Sequence, residues 1–322
     1  MSQNYKYDSY NTTEFSTREN LFENQDETDF TIPSQDYIDL NKYFKMNKYF
    51  VSDEDKIYLE QYVIKGIPPK LRRKYWLTVS GAYGYLKTYG DGYYQTLAKD
   101  DDEKAYPTWP HPDYSTIQKD IQRTFSDEPF FQDKANQEKI KRILRAFVRR
   151  NPVQGYIQSM NYIVGRLCMV LEEEEAFWLF VLIMEKYLPI DYMVDGLTGA
   201  MTDQKVFEHL VNYKYPMILE KLNELKMVGY EEMTSRSIFL NVVVSWFQSL
   251  FTYNMPCELS LAILDLFLLN GNNTIFFIGL ALVSSIKKQV MSCKSIEQLQ
   301  GKILKSGKNP IYNRTKLILM KS

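Results

Sequence analysis

The sequence predicts an all-α fold in two helical halves, and three observations predict it. Apolar residues recur at steps of three and four over most of the chain after Ser52, the period of a helix that buries one side. The proline pair Pro68-Pro69, Pro152 and short acidic groups fall where such runs would begin or end. No stretch reads as a convincing alternation of strand residues; Val242-Val243-Val244 comes nearest, and it lies inside a longer helical window. With 322 residues, 45% apolar and 25% charged, the chain has the length and composition for one large or two ordinary globular domains with a sizeable core.

Residues 1–45 read as a disordered acidic tail. Asn, Ser, Thr, Gln and acids dominate there, with isolated aromatics at no steady period, which buries too little to offset the entropy of ordering. Residues 1–40 carry nine acidic and two basic residues, a net −7, while residues 41–322, with 37 basic and 31 acidic, are +6. A first helical half is predicted over residues 50–212. Ser52, followed by acids at 53, 54 and 55, marks a helix start, and Pro68-Pro69 marks another, because proline in a first turn gives up an N–H that has no partner anyway. Ile140, Ile143, Leu144, Phe147 and Val148 form one buried stripe, ended by Asn151-Pro152. Tyr156, Met160, Ile163, Val164, Leu167 and Leu171 form a second, and Glu172 to Glu175 suit the positive end of a third helix. A second helical half is predicted over 213–310, from apolar runs at 216–228, 233–251, 257–270 and 274–300. Residues 311–322 are left as a C-terminal tail.

Several chemistries are excluded by what is missing from the sequence. Cys168, Cys257 and Cys293 are odd in number and far apart, so neither a disulfide framework nor a Cys-x-x-Cys metal site is predicted, and a reducing cytosol fits best. His111 and His209 stand in no HExxH or HxxxH spacing. There is no GxxxxGK[ST] loop, GxGxxG turn or GxSxG elbow, so no nucleotide of the chain's own and no nucleophile is expected. The basic groups at 70–74 and 139–150 are mixed with core positions in a chain of net charge −1, which argues against nucleic acid. The start lacks a secretory signal, and the apolar segment Leu259 to Val283 is interrupted by Asp265 and Asn270-Gly271-Asn272-Asn273, so no transmembrane segment is predicted.

Four short segments, in order, are similar to the motifs of the TBC domain family of Rab GTPase-activating proteins. Lys65-Gly66-Ile67-Pro68 with Leu71, Arg72 and Trp76 resembles the opening GIP…RxxxW element. Ile117, Asp120 and Arg123, followed by Thr124-Phe125, match IxxDxxR, and Gly155-Tyr156-Ile157-Gln158-Ser159-Met160-Asn161 is similar to the YxQ motif. Trp246-Phe247, Phe251, Pro256, Glu258 and Asp265 resemble the WF…F…P.E…D stretch. Each alone is weak; together they span about residues 62–300. Three positions depart from the pattern: Ser159 where glycine is usual, Leu264 where tryptophan is common, and Gln154 before Gly155.

The resemblance implies a two-lobed helical architecture and a task. Arg123 would enter the nucleotide site of a GTP-bound, Rab-family small GTPase and stabilise charge on the transferred phosphoryl group. Gln158 would orient the attacking water in place of the GTPase's own glutamine, an amide being able to accept from water and donate to phosphoryl oxygen at once. An arginine finger supplies ~10³–10⁵ in rate, or about 4–7 kcal/mol. On its own residues, Arg123 reads as a surface arginine paired with Asp120 at i, i+3, worth ~0.2–0.5 kcal/mol. Asp120, Arg72 and Trp76 are expected in support, the carboxylate holding both guanidinium groups and the indole walling the site, with Tyr156 in packing. No cofactor of its own is implied, since GTP and Mg²⁺ would come with the GTPase. The expected location is cytoplasmic, with transient peripheral recruitment to endomembranes through that partner. The alternative is a non-catalytic helical module that grips a GTPase or adaptor.

Overall fold

Ser52 opens its helix as the sequence predicts: its hydroxyl accepts the Asp55 N–H at 3.1 Å and the Asp55 carboxylate accepts the Ser52 N–H at 3.0 Å. In the computed structural model, residues 34–46, 51–90, 92–99, 111–225, 235–295 and 298–299 are described, without the side chains of 34, 235–238 and 240. Among the described residues there are fifteen α-helices and no strand. The first half holds α1 (Ser34–Met46), α2 (Asp53–Lys65), α3 (Pro69–Val79), α4 (Ala82–Tyr89), α5 (Tyr93–Ala98), α6 (Asp113–Arg123), α7 (Pro129–Gln132), α8 (Lys134–Arg150), α9 (Met160–Cys168) and α10 (Glu173–Leu182). The second holds α11 (Thr198–Lys214), α12 (Pro216–Glu224), α13 (Ser235–Gln248), α14 (Cys257–Asn270) and α15 (Thr274–Met291).

The hub of the first half is α8, whose buried Ile140, Ile143, Leu144, Phe147 and Val148 are the stripe read from the sequence. Against it pack α5, α6, α7, α9 and α10. The glutamates before α10 do more than face a helix dipole. Glu175 accepts the Glu172 N–H and also both branches of the Arg73 guanidinium, at 2.8 and 2.7 Å. Glu173 takes Arg142 at 2.8 and 2.7 Å and the Tyr94 hydroxyl at 2.7 Å, so α3, α5 and α8 are all tied to this one turn.

Three expectations need correction. The stretch expected to be disordered up to residue 45 includes α1, because Leu40 and Phe44 lie on one side of it and are buried, Phe44 edge-on to Tyr75 of α3. Burial of these two side chains, about 1.5–3 kcal/mol each, adds to the packing of Tyr37 and Tyr43 and to the helix's own hydrogen bonds against the ordering cost. Residues 1–33 and the tail at 311–322 lie outside the described residues. The division expected at residue 212 falls inside α11, whose partners are α12, α13 and α15; the change of partners comes before it, at 188–197. Finally, the stripe that begins at Tyr156 is not helical throughout, since α9 starts only at Met160.

Within the second half, α15 is long and apolar enough to cross a membrane by length and composition, with a mean hydropathy of 1.4. Its Ile275, Ile278, Leu282, Ile286 and Val290 are buried against neighbouring helices α11 to α14. The two halves interlock through α14, which crosses back to pack on α2, α3 and α9.

Candidate functional site

Arg123 is the last residue of α6, and the chain turns away immediately after it. Thr124 caps the helix, its hydroxyl donating to the Asp120 carbonyl at 2.7 Å, and Phe125 takes a φ of 45°. The Phe125 ring is held between Phe131 and Tyr162, with the buried Arg166 guanidinium 3.7 Å from its centroid and paired in turn with Glu128. Positive φ at a phenylalanine is uncommon and is sustained here by that packing. The helix therefore ends before Phe125.

The Arg123 side chain is 52% exposed, while the carboxylate that holds it is 4% exposed. Its Nε donates to Asp120 Oδ1 at 2.9 Å and its terminal nitrogen lies 2.7 Å from the same oxygen. That bond raises the arginine's already high pKa, so the group stays charged at any working pH. The other carboxylate oxygen, Oδ2, accepts the Tyr156 hydroxyl at 2.7 Å. Burial first, and then Asp120, push the Tyr156 pKa far above its ordinary value, which keeps the hydroxyl a donor. Asp120 is thus the junction between the two motifs.

Gln158 sits two residues past Tyr156, in the turn that leads into α9, and is exposed. No hydrogen bond engages its side chain among the described residues. The turn itself is built by Asn161, fully buried in the first turn of α9. Its Oδ1 accepts the Ser159 N–H at 3.2 Å and lies 3.1 Å from the Tyr156 hydroxyl, and its Nδ2 donates to Thr124 Oγ1 at 2.8 Å. Asn161 therefore ties the turn after Arg123 to the turn after Gln158. Ser159 has φ 98°, the left-handed region where glycine is at home, and its hydroxyl makes no capping bond. Gln154, the residue out of pattern, donates to the Met193 carbonyl at 3.0 Å and links this loop to the one at 188–197.

Arg72 and Trp76 do not join this site. The carboxylate expected to serve both arginines is split into two: Asp120 serves Arg123, and Asp265 serves Arg72. Asp265, fully buried on α14, accepts Arg72 Nε at 3.1 and 3.2 Å and the Trp76 indole N–H at 2.7 Å, while its backbone carbonyl accepts the Tyr75 hydroxyl at 2.7 Å. Arg72 also donates to the Ile67 carbonyl at 3.1 Å. Trp76 is fully buried, so it is part of the joint between the halves rather than a wall of the exposed site. Among the described residues no group of three or more His, Cys, Asp or Glu side chains is placed to hold a metal ion.

Fold and site together define an all-helical protein in which a half-exposed arginine at the end of one helix and an exposed amide in the turn before another stand on a shared buried base. Residues 69–291 match the family model of the Rab-GTPase-TBC domain, and the chain belongs to that family. It is 30% identical over 265 residues to the growth hormone-regulated TBC protein 1 of Xenopus tropicalis, covering 81% of this chain and 72% of that protein. A TBC domain-containing protein of Schizosaccharomyces pombe is 30% identical over 271 residues, which are 77% of this chain but only 33% of the yeast protein. Among solved structures, the Chlamydomonas flagellar RabGAP TBC domain superposes with a TM-score of 0.70 at 21% identity, covering 89% of this chain and 90% of that one. The Ypt/Rab-GAP domain of Gyp1p gives 0.68 at 17% identity, covering 87% and 94%. At these identities the structural likeness speaks for the fold.

Proposed function

We propose that this chain accelerates GTP hydrolysis by a Rab-type small GTPase, with Arg123 stabilising transition-state charge and Gln158 orienting the attacking water. What supports the reading above all is the Asp120 carboxylate, which holds Arg123 by one oxygen and Tyr156, two residues from Gln158, by the other. The arginine and the loop that carries the amide are thereby anchored on one buried carboxylate before any partner arrives. Such preorganisation is what makes a cation effective at the moment charge develops. The exposure of Gln158 and half-exposure of Arg123, set on a buried base, leaves both free to enter a second molecule. GTP and Mg²⁺ belong to the partner in this scheme, and recruitment to membranes follows from where that GTP-bound partner resides.

Single-turnover phosphate release from a panel of GTP-loaded Rab GTPases tests the proposal. The wild-type chain is expected to stimulate at least one of them, and Arg123→Ala and Gln158→Ala each to remove most of the stimulation while the fold stays intact. A rate left unchanged by both substitutions would overturn the assignment. The strained Ser159 in the Gln158 turn favours one second reading, a module that binds the GTPase without activating it. Complex formation with no rise in phosphate release is its signature.

A further inference from the structure

The bracket that fixes the Gln158 loop has a second arm, at the far end of α6 from Arg123. Asp113, the first residue of α6, accepts the backbone N–H of Tyr156 on its Oδ2 at 2.7 Å. The same oxygen occupies the space where a side chain at position 155 would begin: a Cβ built on Gly155 would lie 2.6 Å from it, and Gly155 has φ 65°. His111 flanks the carboxylate, its Nδ1 3.4 Å from Asp113 Oδ2 and 3.3 Å from the Asp113 nitrogen. One residue, Tyr156, is thus gripped by its backbone at the start of α6 and by its hydroxyl at the end of α6.

We infer that Asp113 is a positioning residue for Gln158: it locks the path of the loop into the left-handed turn at Gly155 and so sets where the amide is delivered relative to Arg123. The inference rests on the mechanism proposed above and deepens it. A side chain at 155 and a carboxylate at 113 cannot share the same space, so the glycine and the aspartate act as one fitted pair. Asp120 and Asn161 hold the loop by the Tyr156 hydroxyl and by the Ser159 N–H on the far side of Gln158, and neither fixes the backbone at residue 156 itself. With both ends of α6 engaged, the backbone of residue 156 is held as well, and misplacement of a reacting group by about 1 Å is enough to cost ~100-fold in rate.

The test is steady-state and single-turnover activation of the responsive GTPase by the full chain. Asp113→Ala is expected to lower kcat about 10- to 100-fold with KM for the GTPase within about twofold, because the role assigned to Asp113 is internal to the chain. Asp113→Asn keeps an acceptor oxygen in place and is expected to recover the rate to within about threefold. In a Gln158→Ala chain, Asp113→Ala should cost less than about twofold more, since its effect runs through the missing amide. Equal losses in the two backgrounds, or a wild-type kcat in Asp113→Ala while Arg123→Ala and Gln158→Ala are inactive, overturn this inference alone. A wild-type chain that stimulates no GTPase of the panel overturns the underlying mechanism and the inference with it. If Asp113→Ala does not fold, hydrogen exchange on the wild-type chain decides: the Tyr156 amide is expected to be protected, and exchange at the rate of a free amide overturns the clamp.

Discussion

Replacing Asp265 by alanine isolates what the buried joint contributes to the fold. The carboxylate is fully buried and receives two groups from α3, the Arg72 guanidinium, whose side chain is 8% exposed, and the indole N–H of the fully buried Trp76. Removing it leaves a cation and a donor stranded away from water. Breaking a buried pair from one side costs about 3–5 kcal/mol, because the abandoned charge keeps its desolvation penalty. The orphaned indole adds about 1–3 kcal/mol if it finds no substitute. Urea unfolding followed by circular dichroism should show a midpoint about 1–3 M lower at an m-value of about 3 kcal/mol/M, the upper end expected for a chain of this size. Lys56→Ala is the matched control: its pair with Asp53 is exposed on both sides, and such pairs are worth about 0–1 kcal/mol. Adding Arg72→Met to Asp265→Ala should restore part of the loss, since no buried charge then remains. A loss below about 1 kcal/mol for Asp265→Ala, with Arg72 still buried, would refute the reasoning from burial.

Three further outcomes are expected. Ser159→Gly should leave activation intact and raise stability by up to about 1 kcal/mol, the left-handed strain at φ 98° outweighing the extra freedom of glycine in the unfolded chain; a drop in thermal midpoint would contradict this. Asp203 has its pKa raised by burial, with the charge of Asp191 adding and Asn272 opposing. The native chain therefore holds that proton more tightly than the unfolded one, so the stability it contributes is present at low pH and lost as pH rises through the raised value. Asp203→Asn should accordingly raise the thermal midpoint at about pH 7 and give little gain near about pH 3.5, where the carboxyl is already neutral. Cys257, whose thiol is pushed up to about 11 by burial, should resist iodoacetamide at about pH 8 until urea unfolds the chain, and rapid labelling of the native chain would count against it.

What the sequence made legible was whatever depends on neighbours along the chain. The Ser52 and Pro69 helix starts, the α8 stripe, the stop at Asn151 and the Asp120–Arg123 pair are all local, and each is found where the spacing put it. The partner of Arg72 was not legible, because Asp265 is 193 residues away and nothing in an aspartate's surroundings says which of two arginines it will meet. Tyr156 was read onto a helix because its spacing to Met160 fits one; the left-handed residues Gly155 and Ser159 prevent it, and the one sign at 159 was that glycine is usual there. Helix α1 was hidden by its polar composition, although Leu40 and Phe44 stand four apart. Asn161 carried a readable sign, a polar amide next to the apolar stripe of a buried helix, where it must find partners or cost stability. Asp113 carried none, since its role exists only once the Gly155 turn is folded beside it.

The crossing of α14 also limits how this protein can be dissected. A fragment ending in the loop at 188–197 would contain every group assigned to chemistry, yet it would lack the helix that neutralises Arg72 and covers α2 and α3. Expressed alone, such a piece exposes an apolar face and holds an unanswered guanidinium, and it should aggregate or unfold rather than act as a minimal activator. Truncation experiments on this chain therefore report on the integrity of the joint before they report on catalysis.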